Sequence, residues 1–240
     1  MNFIQPVDCD DELSVEEILE RSIHLIDIDG FYEIIQMRRD VRNEFIGGPM
    51  DQSKLKRILR AAHQAPSVGM TQPWDFILVD DDAIRIDFRD HVLVERSKFS
   101  DRLIGEAQET FNPIKIEGIM ESAIGIVVTY DPSRGGSAIL GRNTIDETGL
   151  YSVCLAIENL WLAATAEGYG VGWVSFYQES FLCDLVGIPS PLRPIAWLCL
   201  GPISTLMEVP DLERFNWRGR RPLEEALFQN RYGERLKLDL

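Results

Sequence analysis

Arg38, Arg39 and Arg42 put three guanidinium groups within five residues, with Asp40 and Val41 between them. Arginine's planar fork meets phosphate oxygens with paired N–H donors, a fixed geometry that a lysine ammonium does not offer. The chain carries 24 Lys+Arg against 39 Asp+Glu, a formal net charge of −15. On that background a dense positive knot points to a small anionic ligand. The same spacing also suits a solvated helix end, where cations relieve the negative end of the dipole. The enclosed Asp40 is the informative residue, because a simple phosphate cradle has no use for a carboxylate. Such a group within hydrogen-bond reach of a ligand can move protons. Burial would raise its pKa and the flanking arginines would lower it, so the sequence leaves the net direction open.

Three other segments have chemistry to offer. Arg218-Gly219-Arg220-Arg221 is a second basic knot, able to meet the first on one phosphate. In Ala65-Pro66-Ser67-Val68-Gly69-Met70-Thr71-Gln72-Pro73-Trp74, Gln72 sets an amide beside a rigid proline and a flat indole. That amide can bond the polar edge of a ring system, although a plain helix-to-strand turn has the same composition. Gly168-Tyr169-Gly170-Val171-Gly172 precedes an apolar run instead of following one, so the dinucleotide-loop fingerprint fails and helix capping is the simpler use. Ser175 closes that run with a hydroxyl that needs a partner. Cys9, Cys154, Cys183 and Cys199 show no metal-ligand spacing, and with three scattered histidines a zinc site is not expected. Cys154 and Cys199 sit in apolar runs, where a thiol serves as a small hydrophobe.

The elements that must position these residues can be read from periodicity. Ser14-Val15-Glu16-Glu17 is a capping box in an acidic leader spanning 1–28, and residues 29–240 form one domain. Phe31 to Met37 reads as a short helix delivering the arginines. Asp51 caps a helix carrying Leu55, Ile58, Leu59 and Ala62 at helical spacing. Strands are expected at 74–79, 123–130, 171–176 and 195–200, a long apolar helix at 146–167, and a further helix around 179–186. A polar, mobile helical stretch is expected over 84–120, and a Gly-rich loop over 131–141. Helices and strands mix without strict βαβ alternation, which favours an α+β fold. The acidic balance argues against nucleic acid and an anionic membrane surface, and the segment 150–166 is too polar to span a bilayer. A cytoplasmic protein is expected.

Taken in order, Arg38-Arg39-Asp40-Val41-Arg42, Ala65-Pro66-Ser67, Gln72-Pro73-Trp74 and Arg218-Gly219-Arg220 resemble the flavin-dependent nitroreductase superfamily over roughly residues 30–233. Two positions depart from the general pattern: Asp40 stands where a serine or similar small residue is usual, and Met70 where asparagine is usual. Together with Arg134-Gly135-Gly136, Leu140-Gly141-Arg142, Asn159-Leu160-Trp161 and Gly172-Trp173-Val174-Ser175, they are similar to one branch. That branch fragments reduced FMN with oxygen to 5,6-dimethylbenzimidazole, the lower ligand of cobalamin, and erythrose 4-phosphate.

The resemblance implies a mixed, mainly antiparallel sheet flanked by helices, built as an intertwined homodimer with FMN at the interface. It implies reduced FMN and dioxygen as substrates, with NAD(P)H acting only indirectly through a flavin reductase partner. Arg38, Arg39 and Arg42 would hold the ribityl-phosphate side, with Arg218 or Arg220 at the phosphate. Ser67 and Gln72 would contact the ring from either chain, and Val41, Leu140 and Gly172 would line the flavin. Asp40 would be the base, Ser175 its orienting partner, and 84–120 a lid. An ordinary FMN-dependent NAD(P)H nitroreductase or flavin reductase shares the cradle but recycles its flavin. A non-catalytic flavin-binding protein would use Asp40 only as a salt-bridge element.

Overall fold

The computed structural model describes residues 27–236, so the capping box at Ser14 and nearly all of the expected leader lie outside the described residues. The chain divides between Gln36 and Met37 into two units. In the first, Asp27 caps helix α1 (Ile28–Met37) by accepting from the Gly30 N–H at 3.0 Å. Phe31, Tyr32 and Ile35 along that helix are exposed.

The second unit is built on a four-stranded sheet, β1 (Trp74–Val79), β2 (Ile124–Tyr130), β3 (Tyr169–Val174) and β4 (Arg193–Pro202), in the order β1-β2-β4-β3. Every neighbouring pair is antiparallel. One parallel bridge, Asp40 to Val171, adds the arginine segment to the outer edge of β3 and makes the assembly mixed, as expected. β2 is buried on both faces, which explains its unbroken apolar run. Its side chains alternate: Ile126 and Val128 face one core, Val127 the other.

Helices α2 (Gln52–His63) and α5 (Thr148–Ala166) cover the first face. Asp51 caps α2 through the N–H groups of Ser53 and Lys54, at 2.8 and 3.1 Å. Leu55, Ile58 and Ala62 then meet Val153, Ile157 and Leu160 of α5 over Ile126 and Leu198. By length and composition α5 could cross a membrane, yet it packs this stripe against the sheet. Cys199 of β4 is buried, and desolvation pushes its thiol up to about 12. Cys154 corrects the sequence reading: it is exposed on the outer side of α5.

The stretch 84–120 also differs from expectation. It forms α3 (Asp82–Ser100), capped by Asp81, then α4 (Glu106–Phe111) and a well-packed extended segment. Phe88 and Val92, four residues apart, are fully buried against the second face, where Phe88 stacks on Trp197 at 3.9 Å. Ile114, Ile116 and Ile119 are buried in the same core. Charged residues around a narrow apolar stripe disguised a structural wall as a polar lid. Helix α6 (Glu179–Val186), the single turn α7 (Asp211–Arg214) and two 3-10 turns, Val68–Met70 and Leu223–Ala226, are the remaining helical elements among the described residues.

Candidate functional site

Two glycines explain how the arginine segment reaches β3. A Cβ on Gly172 would fall 2.2 Å from the Val41 carbonyl oxygen, and one on Gly170 would fall 2.5 Å from Ile203. Their bare backbone lets residues 40 and 41 lie against the strand, where the Val41 N–H donates to the Val171 carbonyl at 2.9 Å. The spaced glycines therefore serve close approach to this segment. Val41 itself packs into the core at 2% exposure and also borders the small hollow shared by Asp40 and Arg42.

Trp161 of α5 fixes the arginines from the other side. Its indole N–H donates to the Arg39 carbonyl at 3.0 Å, and the Arg38 guanidinium lies 5.0 Å from its ring centre. Arg38 also pairs with Glu158 at 3.8 Å, and Arg39 donates to the carbonyls of Arg38 and Glu208. Arg220 lies near enough, with Arg38, to lower the pKa of Arg39 after desolvation has begun to do so. Arg38, Arg39, Asp40, Arg218 and Arg220 line one hollow of about 310 Å³. The two basic knots, some 180 residues apart in sequence, thus converge, and their mutual repulsion calls for an anion.

Asp40 lines this hollow and also the smaller one beside it. Its Oδ1 accepts from the Trp173 N–H at 3.0 Å, and its Oδ2 accepts from Arg42 at 2.6 Å. The outer edge of the side chain still meets solvent, yet most of the carboxyl is surrounded by protein. Desolvation raises its pKa above the usual carboxylate range, against the lowering pull of Arg42, the Trp173 N–H and Arg38. The direction that the sequence left open is upward. Asp40 and Arg42 line a middle hollow of about 130 Å³ with Asp211. Beyond it, Arg42, Ser175 and Asp211 face an aromatic hollow of about 260 Å³ walled by Phe99, Phe111, Phe176 and Trp217. Ser175 follows the end of β3, two residues beyond the N–H that holds Asp40.

Ser67, Gln72 and Leu140 are not brought to this cleft within one chain. The Ser67 hydroxyl accepts from the Gln72 N–H at 3.0 Å, and the Gln72 amide donates to the His63 carbonyl at 2.9 Å. The Val68 N–H meets Ser152 near the start of α5, nine residues before Trp161 and so about 14 Å away along the helix. Arg134 pins the glycine loop to the carbonyls of Gln72 and Trp74 and to Asp75. Leu140, in that loop, is 86% exposed and Met70 is 88% exposed. Sequence reasoning missed Asp211 and the aromatic wall: an aspartate in a polar tail carries no mark of burial, and the phenylalanines come from separated elements.

A model described as the nitroreductase family matches residues 35–202. The chain is 38% identical over 199 residues to a 5,6-dimethylbenzimidazole synthase of Rhodospirillum rubrum, covering 81% of this chain and 92% of that protein. It is 33% identical over 198 residues to one from Rhodobacter capsulatus, covering 82% and 94% respectively. Among solved structures it is similar to an iodotyrosine deiodinase bound to FMN and 3-iodo-L-tyrosine, with TM-score 0.62, 22% identity, and coverage of 74% of this chain and 91% of that one. The NADPH:FMN oxidoreductase of Vibrio harveyi gives TM-score 0.61 at 20% identity, covering 87% and 80%. At those identities the two structures speak to fold alone.

Proposed function

Since this chain belongs to the nitroreductase family, we propose that it is a 5,6-dimethylbenzimidazole synthase, fragmenting reduced FMN in the presence of dioxygen. The observation that carries this reading is the Asp40 carboxyl, held between Arg42 and the Trp173 N–H where it lines both the arginine hollow and the middle one. A recycled flavin needs the arginines but not a protonatable group at that junction. The relatives named for the synthase reaction match over most of this chain, which supports the same choice.

The residues present fit FMN. Arg38, Arg39, Arg218 and Arg220 offer donors to a phosphate, and Phe99, Phe111, Phe176 and Trp217 offer flat apolar walls to a ring. When bound, reduced FMN supplies both the electrons that reduce dioxygen and the carbon skeleton of the product. Arg42 and Asp40 stand between phosphate and ring, the stretch that the ribityl chain would cross. A carboxyl with a raised pKa exchanges its proton at milder pH, so Asp40 takes and returns the protons that breaking the ribityl carbon skeleton requires. The Ser175 hydroxyl orients the reacting edge, and the aromatic walls keep bulk water out.

The site is completed by a second copy of the chain in a homodimer, with Ser67, Gln72 and Leu140 contacting the ring from the partner. Their distance from the arginines along α5 and the exposure of Met70 and Leu140 support this. A separate reductase supplies the reduced flavin, with NAD(P)H consumed there.

Asp40→Asn separates binding from chemistry. FMN affinity, read by flavin fluorescence, is expected to stay within about twofold, while product formation falls at least about 10²-fold. Loss of affinity in step with loss of product would reduce Asp40 to a structural ion-pair partner.

A further inference from the structure

Asp211 is a buried carboxylate with half of its hydrogen bonding accounted for. Its side chain is 8% exposed. Oδ1 accepts from Arg214 at 2.7 Å, while Oδ2, shielded from solvent, has no hydrogen-bond partner among the described residues. A buried acceptor left unpaired is costly, and a charged one more so, so such a group calls for an explanation. Asp211 lines both the middle hollow, beside Asp40, and the aromatic hollow, beside Ser175. Arg42 lines the same two. The passage from the arginine cluster to the aromatic walls therefore has a cation with N–H donors and an anion with a free acceptor along its length.

That pairing selects the chemistry of what lies between. A carbonyl or ether would satisfy Arg42 and leave Asp211 unpaired. An ammonium would do the reverse. A hydroxyl donates one hydrogen bond and accepts others, so a run of hydroxyls serves both residues. We infer that Asp211 is a further ligand-binding residue, whose Oδ2 accepts a hydrogen bond from a hydroxyl of the polyol chain joining phosphate to ring in the bound flavin. This rests on the flavin reading above and adds a specificity element to it: the middle of the cleft recognises the polyol, separately from phosphate and ring.

The test uses two probes, FMN and a flavin whose side chain is an unsubstituted pentyl phosphate, titrated into apoprotein by fluorescence. Asp211→Asn keeps the shape but turns the acceptor face partly to a donor; Asp211→Ala removes it. Both variants are expected to lose about tenfold or more in affinity for FMN, the scale of a hydrogen bond to a charged group. Affinity for the hydroxyl-free flavin is expected to stay within twofold of wild type. Apo Asp211→Asn should still melt cooperatively within a few degrees of wild type, since its amide oxygen can keep the bond from Arg214. Equal loss for both flavins, no loss for either, or collapse of the apo fold would each overturn the inference. Wild-type protein that binds neither flavin would instead overturn the flavin reading on which it rests.

Discussion

At the residue scale the arginines and Asp40 divide the work. Arg42 spans two of the three hollows and holds the Asp40 carboxylate, so its loss removes a charged donor and frees an acid together. Arg42→Ala is expected to weaken FMN binding by at least about 1.5 kcal/mol in a fluorescence titration, and unchanged affinity would remove it from the cradle. Asp40 also leaves a mark on stability. Because burial raises its folded-state pKa, its favourable contribution is full below the unfolded value of about 3.9 and is lost as pH rises through the folded value. The melting temperature of apo Asp40→Asn, minus that of wild type, should therefore increase as pH climbs from about 4 toward neutrality; a flat difference would contradict the raised pKa. The types and spacing of Arg38, Arg39, Asp40 and Arg42 were legible in the sequence. The direction of the Asp40 shift was not, because it depends on how many protein atoms displace water around the carboxyl. Asp211 was illegible for the same reason: nothing in Pro210-Asp211-Leu212 distinguishes a buried acid from a surface one.

At the scale of elements, the strands and the long helix follow from local pattern with boundaries off by one or two residues. β3 begins at Tyr169 where 171 was expected and ends at Val174, which leaves Ser175 just outside it. The parallel bridge from Asp40 to Val171 had no local signal, since it joins residues 131 positions apart by way of two glycines. Gly172 is the sharper test of that contact. Gly172→Ala would drive a methyl group into the Val41 carbonyl and should cost about 3 kcal/mol or more in a denaturant melt, with FMN affinity falling as Asp40 and Arg42 are displaced. A neutral effect would mean that the segment does not lie against β3 in solution. The wall formed by α3 and residues 113–122 was misread because its apolar stripe is only Phe88 and Val92 deep on a charged helix. Tertiary packing, not periodicity, decides such an element.

At the scale of the molecule, the α+β class was legible from the mixture of elements, and the flavin-cradling family from motifs scattered over most of the chain. What one chain does not join is the ring-contact patch at Ser67 and Gln72 with the cradle at Arg42. If a second copy joins them, two separately defective chains should complement. Co-expressed Arg42→Ala and a Ser67/Gln72 double variant should recover about a quarter of wild-type sites, because half the dimers are mixed and each holds one intact site. No recovery from a confirmed dimer would place both patches in one chain. The central claim is that the flavin is consumed. Photoreduce FMN anaerobically with the protein, admit oxygen, and quantify flavin and benzimidazole over a single turnover. The account predicts one 5,6-dimethylbenzimidazole for each FMN lost; FMN recovered intact, with no benzimidazole formed, would contradict it.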